Sequence, residues 1–146
     1  VHGENIHLGG TLYAAGSLTV NNSVNVTGGQ HLIAGGNVVI DGGAILNSDV
    51  GSPSAIPFLV STGGSVTLSG WSQTTALVYA PSGEVQMAGF TSARLVGAVF
   101  AQSFRTLNWG GKTLLYPVGL GNRTDLPSGS GGGDDISILS WKVSSQ

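Results

Sequence analysis

The sequence predicts an all-β fold: a single parallel β-solenoid (β-helix), of either hand, with about five coils and a roughly 20-residue repeat. Three observations carry that expectation. The chain holds 25 glycines in 146 residues, yet 40% of it is hydrophobic and only 8% is charged. Disordered chains show the opposite balance, with little apolar content and high charge. Val, Leu and Ile alternate with small polar residues in short runs separated by Gly, Asn, Ser and Thr, the pattern of short strands joined by tight turns. These runs recur at a nearly constant interval.

The repeat can be read element by element. Residues 12–20 align with 32–40 at an offset of 20, then with 60–68 at 28, 79–87 at 19 and 98–106 at 19. One column holds Leu18, Val38, Val66, Val85 and Phe104, and the next but one holds Val20, Ile40, Leu68, Met87 and Thr106. Earlier in each unit come Leu12, Leu32, Val60, Tyr79 and Ala98, followed by Ala14, Ala34, Thr62, Pro81 and Phe100. Between the two halves sit Gly16, Gly36, Gly64 and Gly83, with Gln102 in the last copy. Each unit therefore reads as strand, glycine corner, strand, and period-two alternation places these columns inside. A unit this short cannot bury its own apolar face, but stacked units bury a continuous column. An antiparallel sandwich with regular hairpins would reproduce the spacing but not the matching of residue types down each column.

The whole chain, 1–146, reads as one solenoid domain with two interruptions. Insertions are expected near 48–57 and 119–135, the second containing a Gly/Ser run, with a closing strand near 136–143. No apolar run approaches the length of about 20 residues that spans a bilayer, so this segment is not expected to insert into a membrane. No signal peptide is visible, and strand-like sequence begins at Val1, so the chain reads as a mature segment or a piece of a longer protein.

Charge and chemistry narrow the functional classes. The net charge of −2 sets up no strong field for polyanions. Residues 1–93 contain acids but no Lys or Arg; the basic residues Arg94, Arg105, Lys112, Arg123 and Lys142 all follow. The chain has no Cys. His2, His7 and His31 do not form a recognisable zinc set, and the single Gly131-Gly132-Gly133-Asp134 run lacks the stacked copies that a Ca²⁺-binding repeat requires. Asp134 and Asp135 read as a solvated loop, and the sequons at Asn21, Asn25 and Asn122 as coincidences of composition. The acids are dispersed, with none of the clustering used by polysaccharide-cleaving β-helices, so no enzyme activity, cofactor or metal is expected. The outward column Thr19, Val39, Thr67, Gln86 and Arg105 is too irregular for an ice-binding array. The aromatics Trp71, Phe90, Trp109 and Tyr116 fall outside the core columns. With the basic residues of the last coils they define an expected ligand or partner surface of Trp71, Phe90, Arg94, Arg105, Trp109 and Lys112.

From Leu77 onward the chain resembles a known family. Leu77-Val78-Tyr79-Ala80-Pro81 followed by Val85-Gln86-Met87-Ala88-Gly89, then Val96-Gly97-Ala98-Val99-Phe100-Ala101-Gln102-Ser103, then Ile138-Leu139-Ser140-Trp141, are similar to segments of the β-solenoid domain of bacterial type IV pilus-associated, PilX-like proteins. The solenoid of the competence pilin ComZ is comparable. The resemblance covers roughly residues 60–143. It implies an extracellular, cell-surface module displayed on a pilus as part of a minor pilin-like subunit, with other pilus subunits as partners and a surface, glycan or DNA as ligand. It brings no catalytic residues. The N-terminal hydrophobic pilin helix of the family is absent from this sequence. A self-assembling, bactofilin-like solenoid making end-to-end contacts is the structural alternative, although such solenoids usually lack insertions like 48–57 and 119–135.

Overall fold

A computed structural model describes residues 4–107 and 110–127. The chain is an all-β parallel solenoid of about five turns, and every strand pairing recorded among the described residues is parallel. The first coil comprises β1 (Asn5–His7), β2 (Leu12–Ala14) and β3 (Leu18–Val20). The second comprises β4 (Asn25–Thr27), β5 (Leu32–Ala34) and β6 (Val38–Ile40). The third holds β7 (Ile45–Leu46), β8 (Phe58–Ser61) and β9 (Val66–Leu68). In the fourth and fifth coils strand pairing continues through the corners, so that β10 (Gln73–Met87) and β11 (Arg94–Thr106) each run through a whole turn. β12 (Thr113–Leu115) begins a further turn.

Three ladders make three faces. The first joins β1, β4, β7, the start of β10, the start of β11, and β12. The second joins β2, β5, β8 and the middles of β10 and β11. The third joins β3, β6, β9 and the ends of β10 and β11. On the third face the expected register holds: Leu18, Val38, Val66, Val85 and Phe104 are ladder partners, as are Val20, Ile40, Leu68, Met87 and Thr106. Val38, Val66 and Val85 are fully buried, whereas Phe104 in the fifth coil is 43% exposed.

Two sequence readings need correction. The coil has three strands, not two; the strand missed is the one on the first face, whose inward residues are Ile6, Val26, Leu46, Thr74 and Leu95. On the second face the expected columns miss by one residue from the third coil onward, one place late in the third and fourth coils and one place early in the fifth. Leu32 pairs with Leu59, not Val60, and that inward column continues through Val78 and Val99. The next inward column is Ala34, Ser61, Ala80 and Ala101. Val60, Tyr79 and Phe100 therefore lie in the outward row with Tyr13 and Ile33, and Thr62 and Pro81 are exposed corner residues. Ala98 lies in another row, beside Leu77. The cause is the length of the corner: it gains one residue after Ser61 and after Ala80, and in the fifth coil shortens, with Ala101 and Phe104 only three apart. Ala34 and Val38 are four apart, but their partners Ser61 and Val66 are five apart.

The core runs along the axis from Val20 to Leu95, with Leu32, Ile40, Leu46, Leu59, Leu68 and Met87 among its largest fully buried side chains. A second, smaller cluster lies outside the second face. There Ile56, Leu77 and Leu120 are buried against Val50, Phe58, Ala98 and Leu126. It forms where residues 47–57, which link β7 to β8, meet the segment after β12. Arg123 joins the two. Its Nη1 donates to the carbonyls of Pro53 (3.3 Å) and Ile56 (2.5 Å), and its Nε and Nη2 donate to the Asp125 carboxylate at 2.8 and 2.6 Å. The guanidinium also lies 5.5 Å from the Phe58 ring centroid, and His31 caps the same strand by accepting from the Phe58 amide at Nδ1, 2.9 Å away.

The Arg123 side chain is only 9% exposed, so removing it strands two carbonyls at the insertion. Asp125 is screened by solvent and contributes little by itself. Arg123→Ala is expected to lower stability by about 1–3 kcal/mol, the range for losing charge-assisted hydrogen bonds. It should also speed limited proteolysis at the exposed residues Ser48, Asp49, Gly51 and Ser52. Cleavage and urea midpoints equal to those of the parent would show that the contact is ornamental. The Arg123 hydrogen bond holds the Asp125 carboxyl below its ordinary range. A lowered pKa stabilises the fold above the ordinary carboxylate range and loses that contribution as pH falls through the lowered value. The strap itself does not depend on that carboxyl, because the Pro53 and Ile56 carbonyls that Arg123 holds do not titrate.

Candidate functional site

The corner between the third and first faces carries two exposed aromatics, Trp71 and Phe90, while the exposed Tyr13 lies on the second face and Phe104 on the third. The corner's geometry starts from glycines: Gly70 and Gly89 both have positive φ, 64° and 92°, and turn the chain sharply. They are stacked one above the other, since a Cβ on Gly89 would lie 3.5 Å from the Gly70 nitrogen. The residue after each glycine is thereby thrown outward. Trp71 is 65% exposed and Phe90 77% exposed, one coil apart. Trp109 lies outside the described residues. Tyr116, beyond β12, is also exposed.

The four described basic side chains fare differently. Arg105 points outward from the third face, between Phe104 and Thr106, and pairs with Glu84 at 2.8 Å. Lys112 donates to the carbonyls of Gly89 (2.6 Å) and Thr91 (3.0 Å), and so clips one corner to the corner above. Arg123 straps the insertion. Arg94 opens β11 on the first face, exposed, with no ion pair or side-chain hydrogen bond recorded among the described residues. The structure thus places Arg94 beside the aromatic corner and Arg105 on another face, with Lys112 committed to backbone.

Arg94 borders two hollows. One, of about 270 Å³, is lined by Trp71, Gln73, Ser92, Ala93, Arg94 and Thr113. The other, of about 320 Å³, lies across the first face toward the insertion, between Arg94, Gln73 and Thr75 on one side and Ser48, Ser52 and Pro53 on the other. The ladder stacks Gln73, Arg94 and Thr113 directly above one another, so an amide, a guanidinium and a hydroxyl form a polar row next to Trp71. Sequence reasoning missed Gln73 and Thr113 because it missed the first-face strands that carry them, and Ser92 because it lies in the loop before β11.

Among the described residues there is no group of three or more His, Cys, Asp or Glu side chains able to hold a metal ion. His7 is close to Thr27 at 3.3 Å, and His31 serves Phe58, in separate places. No helix among the described residues is long and apolar enough to cross a membrane. The described surface around the hollow of about 270 Å³ brings together an exposed indole, neutral polar side chains and a guanidinium with no acidic partner among the described residues.

Comparison with curated proteins and with solved structures yields no significant match in either case. A family model does match, over residues 3–117, which is most of the chain and takes in the coils, the insertion and the aromatic corner. The chain therefore belongs to the family described as "Domain of unknown function (DUF7305)".

Proposed function

We propose that this chain is a non-enzymatic extracellular display and binding module of a type IV pilus-associated, minor pilin-like protein, serving adhesion or ligand capture. The observation that carries the binding role is the exposed pair Trp71 and Phe90 on one corner, with Trp71 and Arg94 lining the same hollow. Large aromatics held in water contribute nothing to the core and are favoured at recognition surfaces. The pilus role is supported by the likeness of residues 77–89, 96–103 and 138–141 to the PilX-like solenoids.

The solenoid suits such a task because its corners present side chains at a fixed interval of about 4.8 Å, without needing the ligand to order them. DNA capture is a weaker reading. Backbone binding calls for several cations on one track, and here Arg105 and Lys112 are already engaged. The test is to express the intact protein with an epitope, shear the pili from cells and label them. The expected result is signal along or at the ends of sheared pili. Protein confined to the cell body in piliated cells would reject the display role.

A further inference from the structure

We propose that the corner bearing Trp71 and Phe90, together with Arg94, binds an acidic heteropolysaccharide, a glycan whose carboxylates occur at intervals along otherwise neutral pyranose rings. This rests on the reading of the chain as a binding module and supplies its ligand class.

Each part of such a ligand has a counterpart on the surface. A pyranose ring presents an apolar face of C–H groups, and an exposed indole or phenyl ring offers the matching apolar plane. Trp71 and Phe90 provide two such planes in successive coils along one corner, set by the stacked glycines before them. The ring's edge presents hydroxyls, which need partners that both donate and accept. Gln73, Ser92 and Thr113, all exposed around the hollow of about 270 Å³, supply them. A carboxylate is best met by a guanidinium, through paired charge-assisted bonds. Arg94 sits in that same hollow, and among the described residues nothing neutralises it.

The number of charges selects the ligand. Among the described residues Arg105 and Arg123 are paired with Glu84 and Asp125, and Lys112, still charged, is held by the carbonyls of Gly89 and Thr91. A nucleic acid strand would also stack on the aromatics, but it brings a phosphate at every step and needs a run of cations to match. One free guanidinium beside two rings fits one carboxylate for every few rings. The net charge of −2 disfavours a denser polyanion.

Hyaluronan oligosaccharides, in which a uronate alternates with a neutral sugar, are a suitable probe, and their carboxyl-reduced form keeps the rings and removes the charge. Calorimetric titration is expected to show binding to hyaluronan and about tenfold weaker binding to the reduced form, the scale of one charge-assisted contact. Arg94→Gln should weaken hyaluronan by about the same factor and abolish the difference between the two glycans. Trp71→Ala should weaken both about equally, and Arg105→Gln should change neither. All three sites are exposed, so matching circular dichroism melts will confirm that each variant folds. The proposal is overturned by absence of hyaluronan binding, by equal affinity for both glycans, by Arg94→Gln and Trp71→Ala both being silent, or by tighter binding to single-stranded DNA. Protein found on sheared pili that binds no hyaluronan would remove the ligand class and leave the display role standing. Hyaluronan binding by a protein absent from pili would do the reverse.

Discussion

Val66→Asp is expected to unfold the domain or cost it about 3 kcal/mol or more. Val66 is fully buried, between Val38 above and Val85 below, in a column that every middle coil shares. A carboxylate there would lose its hydration without gaining a partner, and burial of an unpaired charge is among the few single changes that reach this size. The neighbouring position supplies the control. Thr67 points away from the core in the same strand, and Thr67→Asp should change stability by no more than about 1 kcal/mol. Successive residues of a strand face opposite ways, so a slip of one residue would exchange the two outcomes. Chemical denaturation of both variants reads the register directly. A parent-like midpoint for Val66→Asp would show that the column is misassigned.

The second large effect is expected at Gly97. Its φ of 147° is a conformation that L side chains rarely adopt, and a Cβ built there would fall 1.9 Å from the Ala76 carbonyl oxygen in the coil above. Gly97 pairs with Ala76 in the ladder, so any side chain must push coil five away from coil four. Overpacking and backbone strain each cost about 1–3 kcal/mol, and here they act together, giving about 2–6 kcal/mol for Gly97→Ala. Gly16→Ala is the contrast. It has open space around it and no positive φ, so it should be neutral or slightly stabilising, by up to about 1 kcal/mol. Thermal melts of the pair separate a glycine required by close approach from one that is merely permitted. Equal melting temperatures would refute the distinction.

The third face was fully legible because its two inward columns are aliphatic in nearly every coil and the corner before them is glycine in four copies of five. The second face was legible only in its first two coils. Leu59 and Val60 are both apolar, so composition did not choose between them, and an alignment anchored on the corner glycines carried the extra residue at 62–65 into the strand. The first face was hidden for a different reason. Its inward positions include Thr74, and its flanks change from Asn5 and His7 to Gln73 and Thr75, with offsets of 20, 20, 28 and 21, so neither residue type nor spacing repeats. Of the candidate surface, Trp71, Phe90 and Arg94 could be named from their places between columns. Their neighbours Gln73, Ser92 and Thr113 could not, because they are small or neutral polar residues of types common throughout the chain, and only the first-face ladder brings Gln73 and Thr113 into line with Arg94. The partners of Arg105 and Lys112 were also out of reach: Glu84 is 21 residues away, and the Lys112 acceptors are backbone carbonyls that carry no sequence mark.

The Arg123 strap has a mechanical consequence. A parallel stack in which each coil touches only its neighbours yields under tension by shedding coils one at a time. Each lost coil of roughly 20 residues would lengthen the chain by up to about 70 Å, at no more than 3.6 Å per residue. Arg123 breaks that sequence of small steps. It ties the segment after the fifth coil to the carbonyls of Pro53 and Ile56 in the third, 70 and 67 residues back in the chain. Coils three to five are therefore clamped as one block, while coils one and two remain outside the clamp. A pulling experiment should record single-coil extensions from the N-terminal side, then a higher force plateau at which the clamped block gives way in one larger step.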